Sequence, residues 1–193
     1  MAGRIGQKPL ESVSTRAPRS AVPHTARKTR TPVSRGGGGS KADTKPFDVL
    51  DFRRTYGASP LERMTMIRDG IPADTVRRIA QRFNISQEVL MMRLGMSKST
   101  ISRKVQEGGK LTSEQSERLV GISKLVGQVE AIIEESGDQA LAGDFNAATW
   151  LEDWLSHPNP SLGNAFPSTY LDTHEGREVV STLIAQMQSG AYA

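Results

Sequence analysis

The fold is decided by the stretch Gln87-Glu-Val-Leu-Met-Met-Arg-Leu-Gly-Met-Ser-Lys-Ser-Thr-Ile-Ser-Arg-Lys-Val105. Its first part predicts a short amphipathic helix, and Gly95 predicts a turn. Its second part predicts another helix, in which Ile101 and Val105 face the leucines of the first. Glycine suits such a turn because a tight connection often needs a positive φ. Two short helices joined in this way are typical of a helix-turn-helix, whose second helix can enter the major groove of DNA.

The outer side of the second helix predicts contacts with DNA. Arginine and lysine can donate to O6 and N7 of guanine, whereas serine and threonine can bond base edges or phosphates. The glutamine near the start of the first helix is well placed for a phosphate. The predicted DNA-binding residues are Gln87, Ser97, Lys98, Ser99, Thr100, Arg103 and Lys104. Two positions depart from the usual pattern of such motifs, since Met91 replaces a small residue and Lys104 an apolar one.

Capping signals predict further helices on both sides of this motif. A Ser or Thr followed three residues later by Glu or Gln forms a capping box, as in Ser59-Pro-Leu-Glu62 and Thr112-Ser-Glu-Gln115. The predicted helices start near Ser59, Pro72, Ser86, Ser97, Thr112, Asn146 and Thr173. No stretch alternates apolar and polar residues as a half-buried strand does. The predicted fold class is therefore all-α.

The helix that starts at Thr112 is predicted to run to about Ser136 and to carry a narrow apolar seam. The seam residues recur every three or four positions, at Leu119, Ile122, Val126, Val129 and Ile133. This spacing suits packing against a partner helix. The partner is either another part of the same chain or a second copy, and the sequence leaves both alternatives open.

Charge divides the chain into a basic front and an acidic back, although the net charge is only +4. Residues 1–45 carry +8, residues 46–110 carry +5 and residues 111–193 carry −9. The first segment has no aromatic residue and is rich in Arg, Ser, Thr, Pro and Gly, which predicts a disordered basic arm. We predict a helix-turn-helix domain over 46–110, a connecting or dimerisation helix over 111–144 and a small C-terminal domain beyond it. The basic front suits phosphates, and the acidic back suits a protein partner.

The composition excludes several classes of site. The chain has no cysteine, so disulfides, Cys-ligated metals and thiol nucleophiles are excluded. Its histidines, His24, His157 and His174, share no helical face with one another or with a carboxylate at metal-ligand spacing. No phosphate-binding loop, nucleophile elbow, signal peptide or membrane-spanning apolar run is present. We therefore expect a cytoplasmic protein that is not an enzyme and holds no cofactor or metal.

Seven short motifs follow one another in the last two-thirds of the chain. They are Gly70-Ile-Pro72, Leu94-Gly-Met-Ser-Lys-Ser-Thr-Ile-Ser-Arg103, Leu111-Thr-Ser-Glu-Gln-Ser-Glu-Arg-Leu119, Ala148-Thr-Trp-Leu151, Pro158-Asn-Pro-Ser-Leu-Gly163, Leu171-Asp-Thr-His-Glu-Gly176 and Gly190-Ala-Tyr-Ala193. In this order and spacing the chain resembles the Xre/MbcA/ParS-type antitoxins of bacterial toxin–antitoxin pairs. One departure is the segment from Glu134 to Asp144, which is longer than the usual connection before the helix of Trp150.

This resemblance implies two binding modules and no catalytic role. The helix-turn-helix would bind operator DNA and autoregulate the operon of the chain. The C-terminal domain would bind a cognate RES-type toxin that consumes NAD, and would occlude the active site of that toxin. The candidate toxin-binding residues are Trp150, Trp154, Pro158, Asn159, Leu162, Gly163, Leu171, Gly190 and Tyr192. We expect a homodimer within a toxin–antitoxin hetero-oligomer, because helix-turn-helix proteins read palindromic operators as two-fold dimers.

Aromatic residues favour a binding surface in the C-terminal domain, since six of the ten lie in the last 49 residues and aromatics dominate protein–protein hot spots. Ordinary core packing is the alternative for Trp150 and Trp154, and a frayed chain end is the alternative for Tyr192. The alternative for the whole chain is a stand-alone transcriptional regulator whose C-terminal domain senses a ligand or dimerises. A structural adaptor with a solvated basic helix is the third interpretation.

Overall fold

The structure, a computed structural model, describes residues 48–136 and 145–188, in which all regular elements are helical. The α-helices are α1 (Phe52–Gly57), α2 (Pro60–Asp69), α3 (Thr75–Arg82), α4 (Gln87–Arg93), α5 (Lys98–Gln106), α6 (Ser113–Ser136), α7 (Ala147–Leu155) and α8 (His174–Gln188). Short 3₁₀ turns cover Pro160–Leu162 and Pro167–Tyr170. The predicted all-α class is confirmed. The predicted arm over 1–45, most of the connection before α7, and the candidates Gly190 and Tyr192 lie outside the described residues.

Local sequence sets the start of several helices. The side chains of Ser59, Ser86 and Asn146 each accept a hydrogen bond from the backbone N–H three residues on, at 3.3, 3.2 and 3.0 Å. Thr112 and Gln115 form a reciprocal capping box with bonds of 3.0 and 3.2 Å. These bonds satisfy N–H groups that have no acceptor inside the helix. The helix starts predicted at these four positions are confirmed.

One other predicted start and one predicted cap differ from the structure. Pro72 does not open a helix, because its segment pairs with the far end of the helix-turn-helix, where the Ala73 N–H donates to the Gly109 carbonyl oxygen at 3.0 Å. The helix α3 therefore begins three residues after Pro72. Ser97 precedes α5 as predicted, but its side chain does not cap the helix. Its Oγ lies 3.1 Å from the Oγ of Ser99 instead.

The long helix α6 forms the centre of the described fold, with α1, α2, α7 and α8 packed around it. The seam residues Leu119, Ile122, Val126 and Val129 are buried within the chain. The apolar seam of α6 is therefore covered by other parts of the same chain. The approach of α1 is close because α6 has a glycine at position 127, where a Cβ would lie 2.0 Å from the carbonyl oxygen of Phe52.

The helix-turn-helix and the C-terminal half (residues 145–188) contribute to one hydrophobic core. Leu90 and Ile101 from the helix-turn-helix belong to the same buried cluster as Leu151 and Ile184 from the C-terminal half. Each of these four side chains is at most 1 % exposed. Because burial of apolar surface is the main favourable term in folding, we expect the stability of each half to depend on the other.

Candidate functional site

The turn of the helix-turn-helix has the geometry that the sequence predicts. Gly95 has a φ of 59°, a conformation that other residues adopt at a cost. Ile101 of α5 is fully buried, as expected, but Val105 is 39 % exposed. Val105 therefore does not belong to the buried core. The helix α5 ends only one residue after Val105, so its last turn lies at the edge of the packed surface.

The predicted DNA-binding residues all lie on α4, α5 or the turn between them. Four are exposed and three are half-buried; the exposed ones are Ser97, Lys98, Ser99 and Arg103, and the half-buried ones are Gln87, Thr100 and Lys104. The side chain of Arg103 makes no hydrogen bond or ion pair with any of the described residues. Of the predicted cations on α5, it is the one whose guanidinium is free to bind a base or a phosphate.

The two lysines of α5 are engaged within the chain. The Nζ of Lys98 lies 3.1 Å from a carboxylate oxygen of Glu88 on α4. A hydrogen bond from its own backbone N–H, followed by the bond from Lys98, lowers the pKa of Glu88. The Nζ of Lys104 donates to the carbonyl oxygen of Lys110 at 2.8 Å. Exposed ion pairs are weak, so DNA can compete for Lys98 more easily than for Lys104.

Two further cations lie on α3 and were not among the predicted DNA contacts. Arg77 and Arg82 are exposed, and their side chains have no hydrogen-bond or ion-pair partner among the described residues. The sequence of α3, Thr-Val-Arg-Arg-Ile-Ala-Gln-Arg, contains three arginines and no acid. That imbalance is a sequence signal for phosphate contact. The helical periodicity alone indicates only that these residues face solvent.

The candidate toxin-binding residues of the C-terminal half fall into three groups. Pro158 and Gly163 are exposed, and Trp150, Trp154 and Leu162 are half-buried. The two tryptophans therefore combine partial packing with partial access, and the ring of Trp150 lies 6.1 Å from that of Phe145. The third group is buried, and it consists of Asn159 and Leu171, which are 7 % and 1 % exposed.

The buried pair shapes the surface loop from within. The Oδ1 of Asn159 accepts a hydrogen bond from the Ser161 N–H at 2.9 Å, and the Asn159 N–H donates to the carbonyl oxygen of Ala165 at 3.0 Å. Leu171 belongs to the hydrophobic core, and its carbonyl oxygen accepts a bond of 2.8 Å from Arg177. In this conformation the two side chains support the loop and offer almost no surface to a partner.

Phe166 is an exposed aromatic that the candidate residues did not include. It is 46 % exposed and directly follows the closed loop that Asn159 and Ala165 bridge. Val179, on the outer side of α8, is 41 % exposed. The sequence shows Phe166 as an aromatic in a proline- and glycine-rich loop, which is a usable signal. Val179 follows the apolar pattern of α8, so the sequence gives no sign that it is exposed.

A buried arginine fixes α8 to α6. Arg177 is 2 % exposed, and its Nη2 donates to both carboxylate oxygens of Glu117, while its Nη1 donates to the carbonyl oxygen of Leu171. Gly121 provides the space, since a Cβ there would lie 2.3 Å from the Nε of Arg177. His174 lies 3.5 Å from the same carboxylate.

The described residues contain no group of three or more His, Cys, Asp or Glu side chains that could hold a metal ion. In the same part of the chain, no helix combines the length and apolar character needed to cross a bilayer.

Two family models match the sequence. The antitoxin Xre-like helix-turn-helix domain matches residues 62–124, and the antitoxin Xre/MbcA/ParS C-terminal toxin-binding domain matches residues 139–190. Neither match tests the predicted domain boundaries at residues 110 and 144, which stay a prediction.

Curated relatives agree with these matches. The "Prs ADP-ribosylating antitoxin" of Sphingobium sp. (strain YBL2) is 38 % identical over 156 residues, which cover 81 % of this chain and 96 % of the relative. The "Antitoxin Xre" of Yersinia enterocolitica is 26 % identical over 138 residues, which cover 69 % of this chain and 86 % of the relative. The protein of the same name from Photorhabdus laumondii is 22 % identical over 125 residues, covering 65 % and 77 %.

These matches distinguish between the alternatives that the sequence left open. A toxin-binding domain after the helix-turn-helix favours an antitoxin over a stand-alone regulator with a ligand-sensing domain. It also gives the acidic, aromatic-rich C-terminal half a protein partner. The chain belongs to the Xre/MbcA/ParS family and is an antitoxin of a toxin–antitoxin system, with an Xre-like helix-turn-helix domain and a C-terminal toxin-binding domain.

Proposed function

We propose that the chain neutralises a RES-type toxin that consumes NAD, by covering the active site of that toxin with its C-terminal half. We also propose that its helix-turn-helix binds the operator of its own operon as a homodimer within the toxin–antitoxin complex. The chemistry then belongs to the partner, and this chain acts only by binding. The observation that carries the proposal is the union of a toxin-binding domain and an exposed basic recognition helix in one fold.

The NAD part of the proposal rests on a relative. The name of the Sphingobium protein refers to ADP-ribosylation of Prs, and the transfer of ADP-ribose uses NAD as its donor. An identity of 38 % over most of both chains therefore supports NAD chemistry in the toxin–antitoxin pair to which this chain belongs.

The proposed toxin surface is the loop from Pro158 to Phe166 together with the adjoining faces of the Trp150 and Trp154 side chains. Phe166 is its anchor, because a large exposed aromatic beside a rigid loop is typical of a binding hot spot. The loop is held closed from inside by Asn159. A rigid loop loses little conformational entropy on binding, so its shape supports occlusion of a cleft.

The DNA part of the proposal rests on α5. Arg103 and Ser99 on α5, and Ser97 just before it, are exposed and follow a turn with the geometry of a helix-turn-helix. The cations Arg77 and Arg82 on α3 can contact phosphates. The homodimer follows from the two-fold symmetry of palindromic operators. Because the seam of α6 is used inside the chain, the dimer needs a different surface.

The test uses the full chain, because the two halves share one core and a truncation would disturb both. The product of the neighbouring gene is expressed alone and with the antitoxin, and cellular NAD is measured. We expect NAD to fall with the neighbour alone and to recover on co-expression. A neighbour that leaves NAD unchanged, although it forms a complex with the chain, would show that the toxin belongs to another chemical class.

The proposed surface is tested with Phe166→Ser. We expect a loss of toxin affinity of about 2 kcal/mol or more, as for a hot-spot residue. The matched control is Leu61→Ser, which removes another exposed apolar side chain, 65 % exposed on α2, outside the toxin-binding domain. If both variants bind and neutralise the toxin equally well, Phe166 is not part of the interface.

A further inference from the structure

A polar cluster joins the last turn of α4 to α7 of the C-terminal half. Arg93, the final residue of α4, forms an ion pair through Nη1 with Glu152, and its Nη2 donates to the Oγ of Ser156 at 3.1 Å. The Oγ of Ser156 donates in turn to the other carboxylate oxygen of Glu152 at 3.0 Å. The side chains of Arg93 and Glu152 are each 15 % exposed. These three residues, called the Arg93 cluster here, form a closed hydrogen-bond network.

The turn that follows α4 is held on another side as well. Arg118 of α6 donates to the carbonyl oxygens of Leu94 and Gly95, at 2.8 and 2.6 Å. A Cβ at Gly95 would lie 3.3 Å from the Cβ of Asp172, so the chain before α8 lies next to the same turn. The helix α4 also packs against the 3₁₀ turn Pro167–Tyr170.

These contacts fix the direction in which α5 leaves the turn. Reading of base edges requires that side chains lie within about 0.5 Å and 10–20° of the productive geometry. The helices α4 and α5 have only seven and nine residues, so a small rotation at the end of α4 moves Arg103. The C-terminal half therefore takes part in setting the position of the recognition helix.

We propose that Glu152, a residue of the toxin-binding domain, is a positioning residue for operator recognition and acts through Arg93. This inference rests on the proposed operator binding of the helix-turn-helix. The side chain of Glu152 is only 15 % exposed and points toward α4, so its carboxylate is used in the ion pair with Arg93. Removal of one partner of a shielded ion pair leaves the other charge without compensation, and Arg93 then has to turn toward solvent.

The charge of the residue makes the test sharp. Glu152→Gln removes one negative charge, which by itself strengthens attraction to the DNA polyanion. The positioning role predicts the opposite, a weaker affinity for the operator. Asp153→Asn is the matched control, because it removes the same charge from the next residue of the same helix. Asp153 is 77 % exposed and has His157 as a distant partner at 3.8 Å.

The experiment measures binding of the full-length variants to a duplex from the promoter of their own operon and to a scrambled duplex, by fluorescence anisotropy. We expect Glu152→Gln to lose roughly tenfold in promoter affinity, the size of one good base contact, while its affinity for the scrambled duplex does not fall. Asp153→Asn should retain the affinity of the unchanged chain for the promoter. The double variant Arg93→Gln/Glu152→Gln makes the cluster neutral again and lets the two amides hydrogen-bond to each other. It should therefore recover most of the promoter affinity that Glu152→Gln loses.

Each outcome decides the inference. Promoter affinity of Glu152→Gln equal to that of Asp153→Asn would overturn it. A parallel loss on both duplexes, matched by a smaller folded fraction in circular dichroism, would also overturn it, because it indicates a purely structural role. A double variant as weak as Glu152→Gln would argue against action through Arg93. Operator binding itself is judged separately. If it is wrong, the chain without substitutions will show no preference for the promoter duplex.

Discussion

Arg103 of the helix-turn-helix and Arg177 of the C-terminal half lie in opposite environments. The side chain of Arg103 on α5 is exposed and makes no hydrogen bond or ion pair with the described residues, whereas Arg177 on α8 is 2 % exposed and bonded to Glu117 and to the carbonyl of Leu171. An exposed guanidinium contributes little to stability and is available to a polyanion. A buried one has lost its hydration and must be paired. The same residue type is therefore accessible to a partner at Arg103 and provides internal cohesion at Arg177.

The strongest test of this difference removes the buried arginine. Arg177→Ala leaves Glu117 and the Leu171 carbonyl without their donor, and loss of one partner of a buried pair costs about 3–5 kcal/mol. We expect the lower end, because the side chain of Glu117 is 34 % exposed. Urea unfolding of the full chain measures the effect. The control Arg82→Ala removes an exposed cation from α3 and should cost little; an equal cost for the two variants would contradict the comparison.

A second large effect is expected where the backbone of the C-terminal half packs closely. A Cβ at Gly176 would lie 2.0 Å from the carbonyl oxygen of Tyr170, so Gly176→Ala requires a shift of backbone. We expect a loss of stability of roughly 1–3 kcal/mol, as for overpacking, in thermal unfolding. Gly109→Ala, near the helix-turn-helix, is the control, because the nearest atom would lie at an ordinary 3.4 Å. Tolerance of both substitutions would show that α8 can shift freely.

The exposed arginine predicts the complementary result. Arg103→Ala should leave the unfolding free energy unchanged and reduce promoter affinity by about 1–3 kcal/mol if Arg103 contacts a base. If Arg103 contacts a phosphate instead, the affinities for the promoter and scrambled duplexes should fall together. The slope of log affinity against log salt concentration should then decrease in magnitude by about one. Titrations at several salt concentrations distinguish the two modes. A destabilised Arg103→Ala variant would remove the contrast with Arg177.

The smallest effect concerns Glu130 on α6, which is partly buried and has other carboxylates nearby. Burial raises the pKa of Glu130, and the nearby carboxylates of Glu134 and Asp51 raise it further. The folded chain therefore binds this proton more tightly than the unfolded chain, and stability falls as pH rises from about the ordinary value of 4.5 through the raised one. Glu130→Gln should be slightly more stable at neutral pH and should lack this decrease. An identical pH dependence of unfolding in both proteins would contradict the assignment.

Several features of the functional sites could be read from the sequence because they depend on neighbouring residues. The caps at Ser86 and Asn146 and the positive φ of Gly95 depend on residues within three or four positions. The short helix α1 and the 3₁₀ turns were not predicted, because six residues or fewer carry no clear helical period. Val105 was assigned to the core by its spacing, although α5 ends too soon to cover it.

The helices, the helix-turn-helix and the division of charge could be derived from the order of the amino acids, since local hydrogen bonds and apolar periodicity act over short distances. Which polar residues became internal depended on how distant segments pack against one another. Arg93 meets Glu152 across 59 residues and Arg177 meets Glu117 across 60, and no local pattern marks such pairs. The same long-range packing buried Asn159 and Leu171 and left Phe166 exposed. Desolvation is a property of the assembled fold, so the fold decides which charges stay accessible to partners and which pair within the chain.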